Sequence, residues 1–181
     1  MTSVQSPIAH SPADMDVPAI YIANLRAYNE GSLAGAWINP SSDVNDLREQ
    51  ILQAIGGNVE NEWAIHDYSD FPCLGEHASL EDISKVAEML EEHDPDAVRA
   101  AIDNCGVRYL EQANSILENG WRQFDKVEDI ALEELAQDLA EEGQLDKEFL
   151  LRYVDWERVG RELSHGYIVV ERNGKTFVFN H

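Results

Sequence analysis

Histidines that stand beside carboxylates are the side chains of this sequence best suited to acid–base or metal chemistry. His66-Asp67 ends a predicted strand, and Glu76-His77 follows it further along the chain. Neither pair forms an HExxH motif, and no third ligand follows at a recognisable spacing. We therefore predict no catalytic residue, no metal and no cofactor. A hydrolase that uses His66 and Asp67 stays open as an alternative.

The two cysteines, Cys73 and Cys105, lie far apart and lack a CxxC spacing, so they indicate neither a zinc site nor a disulfide framework. Two free thiols are typical of a reducing compartment. The N-terminus lacks the basic and apolar regions of a secretory signal, and no apolar run is long enough to cross a bilayer. The sequence therefore predicts a cytoplasmic protein.

Acidity is the dominant feature of the composition. The chain has 181 residues, with 35 Asp and Glu against 13 Lys and Arg, and so a formal net charge of −22. The phosphates of a nucleic acid would repel such a protein, as would an anionic membrane surface. Because 44% of the residues are hydrophobic, the chain can fold and is not a disordered acidic tail. We predict a folded protein that binds neither nucleic acid nor a membrane.

The acids are concentrated in three blocks. Residues 41–75, 76–96 and 125–148 carry net charges of −6, −7 and −8, whereas residues 97–124 are neutral and residues 149–181 carry +1. A solvated helix face explains any single block. Three blocks of one sign with few cations to pair them cost stability, however, and halophilic adaptation would be expected to reach the C-terminal third as well. The distribution therefore favours a surface whose negative electrostatic field has a function of its own.

The third block shows what such a surface resembles physically. Its acids recur every three to five residues, opposite a stripe of leucines. A helix of 24 residues would be about 36 Å long, which is near one turn of B-DNA. A duplex carries about 21 phosphates over that length, against ten acids here. One such face would supply about half the charge density of DNA.

The elements that must carry the acids divide the chain into a tail and three parts. Residues 1–17 are predicted to be a disordered tail. The pattern of residues 18–75 predicts an N-terminal α+β domain. This domain consists of a small antiparallel sheet and one helix that begins at Asp43. Residues 76–120 predict a helical domain that begins with a capping box at Ser79. The strands of the first domain are predicted at 20–22, 33–38 and 62–66, around a turn at 29–32.

The last part, residues 121–181, predicts a C-terminal α+β domain. Asp125 and Glu128 are expected to cap its acidic helix, and shorter helices follow around 149–151 and at 156–163. The dipeptide Asn173-Gly174 between two β-rich runs predicts a hairpin. The fold class predicted from the whole chain is α+β, with three small domains: a small antiparallel sheet plus helix, a central helical bundle, and C-terminal helices plus a β-hairpin sheet.

Three stretches then suggest a family. They are YIANLRAYNEG at 21–31 followed by GAWI at 35–38, EWAIHDY at 62–68, and YVDWERVGREL at 153–163. In this order they resemble the ArdA-type antirestriction proteins. The likeness runs over roughly residues 19–180 and leaves only the N-terminal tail outside it.

The resemblance implies an elongated, curved homodimer of three small domains per chain, carried on mobile genetic elements. Such proteins mimic B-form DNA and occupy the DNA-binding groove of type I restriction-modification enzymes, formed by the methyltransferase core complex. They inhibit restriction, and often modification, without chemistry. The acids then expected to stand in for phosphates are Asp43, Asp46, Glu49, Glu81, Asp82, Glu88, Glu91, Glu92, Asp129, Glu133, Glu134, Asp138, Glu141 and Glu142.

The less charged C-terminal domain would form the dimer, with Tyr153, Trp156 and Tyr167 as candidate contacts. A dimer would carry −44, which at half the charge density of DNA replaces phosphates over about 40 base pairs. An acidic adaptor or chaperone for another basic DNA-binding protein stays open as the alternative. It should differ from a mimic in failing to displace DNA.

Overall fold

The computed structural model describes residues 17–57, 62–131, 135 and 147–181. The fold is α+β, which confirms the predicted class. No helix within these described ranges is both long and apolar enough to cross a membrane. The elements in chain order are β1 Ala19–Asn24, α1 Leu25–Asn29, β2 Gly35–Ile38, α2 Val44–Ala54, β3 Trp63–Ser69, α3 Leu80–Glu92, α4 Pro95–Cys105, α5 Leu110–Glu118, β4 Trp121–Phe124, α6 Val127–Ala131, α7 Lys147–Tyr153, α8 Trp156–Ser164, β5 Ile168–Arg172 and β6 Lys175–Phe179.

The chain divides into two compact units, which we call the first unit (Met1–Pro95) and the second unit (Asp96–His181). The boundary between the units falls inside the segment 76–120 that the sequence predicts as a helical domain. The division into three domains therefore stays a prediction. The predicted tail, apart from Val17, lies outside the described residues.

The first unit is built on an antiparallel sheet with strand order β2-β1-β3. Its central strand, β1, is buried at nearly every position, as expected for a strand with neighbours on both sides. Ile20 and Ile22 of this strand are fully buried, together with Leu47 of α2 and Ile65 of β3. This apolar core holds α2 against the sheet, so the solvent side of α2 is fixed in place.

The predicted turn is present at Glu30 and Gly31, but a short helix that was not predicted, α1, lies between β1 and this turn. Asn24 begins it: the Asn24 carboxamide oxygen accepts from the Ala27 backbone N–H at 3.1 Å, and its Nδ2 donates to the Ile55 carbonyl at 3.0 Å. A helix of five residues has no period to show in sequence. The capping hydrogen bond is local, but the Asn24 side chain is also held by the carbonyl of the distant Ile55, which the local pattern could not show.

The two helices that carry acids in the first unit begin at the caps that the sequence predicts. Asp43 Oδ1 accepts from the backbone N–H groups of Asn45 (2.8 Å) and Asp46 (3.1 Å), and Ser79 Oγ accepts from that of Asp82 (3.0 Å). Helices α2 and α3 pack against each other. Ser84 of α3, which is buried, also donates its hydroxyl to the Ser42 carbonyl at 2.5 Å.

The second unit contains an antiparallel sheet of order β4-β6-β5. The predicted hairpin is present as β5 and β6, joined at Asn173 and Gly174, whose positive φ angles of 51° and 74° suit the tight turn. Strand β4 was not predicted from the sequence. It forms because Trp121–Phe124 pairs with β6, whose residues Phe177, Val178 and Phe179 are buried.

The second unit also contains helices. Helix α4 begins at Pro95 and α5 begins at Leu110, both within the segment 76–120 that was predicted to be helical. The predicted long acidic helix is described only as α6, and the rest of it lies outside the described residues. Helix α6 packs closely on α8 at Gly160, where an added Cβ would meet the Val127 carbonyl oxygen at 2.6 Å.

Candidate acidic binding surface

The described part of the first unit carries an almost uncompensated negative charge. It contains fourteen Asp and Glu against three Lys and Arg, which gives a formal net charge of −11. All fourteen acidic residues are exposed. We call these fourteen the acidic surface of the first unit: Glu30, Asp43, Asp46, Glu49, Glu62, Asp67, Asp70, Glu76, Glu81, Asp82, Glu88, Glu91, Glu92 and Asp94.

Eight of the acids predicted to mimic phosphates belong to this surface, and each is exposed as expected: Asp43, Asp46, Glu49, Glu81, Asp82, Glu88, Glu91 and Glu92. They lie on α2 and α3 or at the cap of α2, opposite buried residues such as Leu47 and Ile83. Because α2 and α3 pack against each other, the acids of both helices belong to the same packed part of the first unit.

Helix α3 is the densest part of the acidic surface. It spans thirteen residues, or about 20 Å at 1.5 Å per residue, and carries five acids. A DNA duplex has about twelve phosphates over that length. Lys85 is the one cation on α3 and pairs with Glu88 at 3.1 Å. The helix therefore presents somewhat less than half the charge density of DNA, close to the density predicted for the third block.

Of the six predicted acids of the third block, Asp129 lies within the described residues. Asp129 is half-buried, and its carboxylate accepts from the Lys126 backbone N–H at 3.1 Å. Asp129 thus caps α6, while the predicted cap Asp125 instead pairs with Lys175 at 2.5 Å. The remaining five lie outside the described residues: Glu133, Glu134, Asp138, Glu141 and Glu142.

The described part of the second unit has nearly balanced charge, with twelve acids against ten bases. Two ion pairs join segments far apart in sequence, Arg172 with Asp103 and Lys175 with Asp125. The hydrogen bond from Lys175 lowers the pKa of the Asp125 carboxyl below its ordinary value of 3.8. One cavity of about 540 Å³ beside the β5–β6 turn is lined by both signs of charge. Charged side chains in this unit therefore pair with one another and connect distant segments of the fold.

The residues suggested for catalysis do not assemble into a reactive group among the described residues. The His66 ring contacts Tyr28 edge-on, with ring centroids 5.1 Å apart. The Asp67 carboxylate accepts from the Tyr68 backbone N–H at 2.8 Å. Glu76 and His77 are exposed, and the described residues contain no group of three or more potential metal ligands.

Tyr68 is the one residue near these whose acidity is strongly changed. Burial raises the pKa of its phenol to about 12, and its hydroxyl donates to the Gly75 carbonyl at 2.7 Å. A phenol with that pKa stays protonated at neutral pH, so it acts as a hydrogen-bond donor that fixes the loop at Gly75 and not as a base.

The three candidate dimer contacts lie in different environments. Tyr153 is 67% exposed, and its ring lies 4.7 Å from that of Phe149, which is also exposed. Trp156, at the start of α8, is half-buried. Tyr167 packs on the cluster of Phe124, Ile130 and Val178. Of the three, Tyr153 is therefore the side chain most available to a partner.

Sequence reasoning missed the pairing of Tyr28 with His66 as a feature of this surface. The strand register offers the signal: Ile22 lies opposite Ile65 and Tyr21 opposite Asp67, which makes His66 the extra residue of a β-bulge. Two consecutive polar residues in a strand of otherwise apolar and aromatic character hint at such a break in alternation.

Comparison with models of known protein families gives a match over most of the chain. Residues 20–176 match the model of the antirestriction protein (ArdA) family. That range covers both compact units and most of the chain. No curated protein matched the chain.

Proposed function

Because the chain belongs to the ArdA family of antirestriction proteins, we propose that it is a mimic of B-form DNA that occupies the DNA-binding groove of a type I restriction-modification enzyme. The proposal rests on the acidic surface of the first unit, where fourteen exposed carboxylates stand against three cations. A groove built to hold phosphates presents Lys and Arg at comparable density. The protein acts by competitive occupancy, without a catalytic residue, metal or cofactor.

Binding is driven by the release of counterions. Cations condensed along the acidic surface and anions held in the enzyme's groove are both released when the two surfaces meet. Helices α2 and α3 are fixed to each other and to the sheet. The backbone that carries the carboxylates therefore needs no ordering on binding, which reduces the entropic cost. The same acids repel one another in the free protein, and the partner's cations relieve that repulsion.

The acidic surface extends to a second copy in this proposal. Tyr153, Trp156 and Tyr167 of the second unit contribute to a homodimer, which doubles the charge to −44. The acids Glu133, Glu134, Asp138, Glu141 and Glu142 add to the phosphate-mimicking set, as does Asp129. The target is the methyltransferase core complex, and occupancy of its groove inhibits restriction and, where the same groove serves both reactions, modification.

The test is displacement of DNA from a type I methyltransferase core by the full chain, over a series of salt concentrations. We expect displacement that weakens steeply as salt rises. The triple variant Glu81→Gln, Glu91→Gln, Glu92→Gln should bind about tenfold more weakly, because each exposed charge pair contributes a fraction of a kcal/mol to about 1 kcal/mol. Its salt slope should fall by up to about one per carboxylate.

A matched control neutralises three exposed acids of the second unit, Glu111, Glu162 and Glu171, to Gln. This variant changes the net charge equally and should retain nearly all of the affinity. Loss in equal measure from both triple variants would show a response to total charge, as expected of an acidic adaptor. Binding to the core without displacement of DNA would also favour the adaptor over the mimic.

A further inference from the structure

The first unit also exposes an aromatic side chain, Tyr28. Tyr28 of α1 is 51% exposed, and its ring meets that of His66 at a centroid distance of 5.1 Å and an interplanar angle of 85°. In this edge-to-face geometry one ring contacts the other along an edge. Tyr28 is thus supported by a neighbour and remains half open to solvent.

The backbone around Tyr28 is held at three points. The buried Asn24 caps α1 and is tied to the end of α2 through the Ile55 carbonyl. The Leu25 backbone N–H donates to the Glu62 carbonyl at 2.9 Å, which connects α1 to the start of β3. After the helix, the Ser32 N–H returns to the Ala27 carbonyl at 2.9 Å. A five-residue helix alone would fray, but this one is fixed to the sheet.

The β-bulge at His66 turns the histidine toward Tyr28. Regular alternation along β3 would place His66 and Asp67 on opposite faces of the sheet. Because the bulge shifts the register between Ile22 and Tyr21, both side chains are exposed. Bulges commonly re-aim a side chain beside a functional site. Here the re-aimed side chain supports an exposed aromatic ring.

The surroundings of α1 are negative. Glu30 and Glu62 line one cavity of about 340 Å³ with Arg26 and Asn29, and Arg26 pairs with Glu30 at 3.5 Å. Asp67 follows His66 directly and is exposed. A cationic side chain is attracted both by carboxylates and by the face of an aromatic ring. The local charge therefore selects a cation as the group that meets Tyr28.

We propose that Tyr28, held by His66, is a contact site for an arginine side chain of the restriction enzyme's DNA-binding groove. The inference rests on the proposed function, since it names a further contact of the same interface. Arginine is the cation expected because its planar guanidinium stacks on aromatic rings and is weakly hydrated. A rigid aromatic ring surrounded by charged contacts also has the composition of an interface hot spot.

This contact differs from the carboxylate contacts in its dependence on salt. A neutral ring carries no counterion of its own to release, whereas each carboxylate contact releases a condensed cation. The anion held by the arginine is released when the groove meets the acidic surface, with or without the ring. Tyr28 should therefore add affinity at every salt concentration without changing the slope. That difference separates it experimentally from the acids around it.

The experiment is the DNA-displacement assay with the full chain at several salt concentrations. Tyr28→Ala should lower the affinity about tenfold throughout, with an unchanged slope, and Tyr28→Phe should retain most of the affinity because the ring remains. The matched control is Tyr109→Ala, which removes a tyrosine of similar exposure (55%) from the second unit and should change little. Equal thermal midpoints of Tyr28→Ala and wild type establish that the variant is folded.

The role of His66 is tested by a double-mutant cycle. As a positioning residue, it should weaken binding about threefold when changed to Ala in the wild-type protein, and should have no effect in the Tyr28→Ala background. Additive losses would show that His66 does not act through Tyr28 and would overturn that part of the proposal.

The outcomes distinguish this proposal from the function on which it rests. Failure of the wild-type protein to displace DNA overturns the proposed function. Steep, salt-dependent displacement by wild type with undiminished affinity in Tyr28→Ala overturns only the arginine contact. A loss in Tyr28→Ala accompanied by a reduced salt slope also overturns it, because the ring would then act through the neighbouring carboxylates.

Discussion

In the described part of the first unit fourteen carboxylates stand against three cations, whereas in the second unit twelve stand against ten. The first unit's pairs Arg26–Glu30 and Lys85–Glu88 join residues four and three positions apart. The second unit's pairs Arg172–Asp103 and Lys175–Asp125 span 69 and 50 residues. The second unit has local pairs as well, Arg99–Asp96 and Arg161–Glu157, but its two long-range pairs connect distant elements, which the two first-unit pairs named here do not do.

The difference indicates where charge serves the fold and where it serves something else. An ion pair between distant segments contributes to holding them together, while an exposed carboxylate among carboxylates opposes the compact state. A surface that lowers the stability of the free protein is useful only if binding to a partner offsets that loss. The acidic surface of the first unit thus fits an interface, and the described part of the second unit, where charges pair between distant segments, fits a scaffold.

The largest change in the free energy of unfolding is expected from a substitution at Gly160 in the second unit. A Cβ there would lie 2.6 Å from the Val127 carbonyl oxygen and 3.1 Å from the Glu128 Cα, so Gly160→Ala must push α8 away from α6. We expect a loss of about 2 kcal/mol in the free energy of unfolding, measured by urea unfolding. The indole signals of Trp121 and Trp156 report the second unit in the same experiment.

Gly166→Ala is the matched control for that change. The Leu163 carbonyl oxygen is the nearest atom to a Cβ at Gly166, at an ordinary contact distance of 3.5 Å, so this variant should unfold nearly as wild type does. Trp37 and Trp63 report the first unit and should keep their native signals at urea concentrations where Gly160→Ala has lost those of the second. Loss of all four indole signals together would contradict the independence of the two units.

A smaller effect is expected from Asp103, the partner of Arg172. The Arg172 side chain is only 29% exposed, and its Nε is buried without a hydrogen-bond partner among the described residues. Asp103→Asn removes the charge that compensates this guanidinium and should cost about 1 kcal/mol in the free energy of unfolding. Thermal unfolding of the variant measures the loss.

The corresponding change in the first unit should have the opposite sign. Glu91→Gln removes one exposed carboxylate beside Glu92 in the last turn of α3, where negative charge opposes the helix dipole. We expect no loss, and a gain of a few tenths of a kcal/mol. If Glu91→Gln destabilised the protein as much as Asp103→Asn, the contrast between structural and uncompensated charge would be wrong.

Much of this fold could be predicted from sequence because its signals are local. Asn173-Gly174 specified the hairpin, and Asp43 and Ser79 specified the starts of α2 and α3, since a turn or a cap depends on neighbouring residues. Strand β4 escaped prediction because Trp121–Phe124 is short and becomes a strand only by pairing with β6, more than fifty residues away. Helix α1 escaped prediction because five residues show no helical period, and because its capping residue Asn24 is held by the carbonyl of the distant Ile55.

The candidate site shows the same division. Exposure of the acids on α2 and α3 followed from helical periodicity, since residues opposite Leu47 and Ile83 must face solvent. The contact of Tyr28 with His66 did not follow, because it depends on a register shift between β1 and β3. Periodicity thus locates a charged face, but the aromatic contact within it requires the pairing of strands.

The smallest effect concerns the pH dependence of the Lys175–Asp125 pair. Lys175 lowers the pKa of the Asp125 carboxyl from its ordinary 3.8, so folding favours the ionised form. The stabilisation is therefore present above about pH 4 and is lost as the pH falls through the lower pKa of the folded state. Carboxyl-carbon NMR should find the Asp125 titration below 3.8 in wild type and shifted upward in Lys175→Met.

Lys126→Met is the control that separates a hydrogen-bonded cation from a merely nearby one. Lys126 also lowers the pKa of Asp125, but it does so by charge alone and as the weakest contribution. Its removal should raise the titration of Asp125 by much less than the removal of Lys175. Equal shifts in the two variants would mean that Asp125 responds to the general positive charge of its surroundings. The pair would then not be a specific link between the start of α6 and β6, and the second unit would resemble the first more closely than its ion pairs suggest.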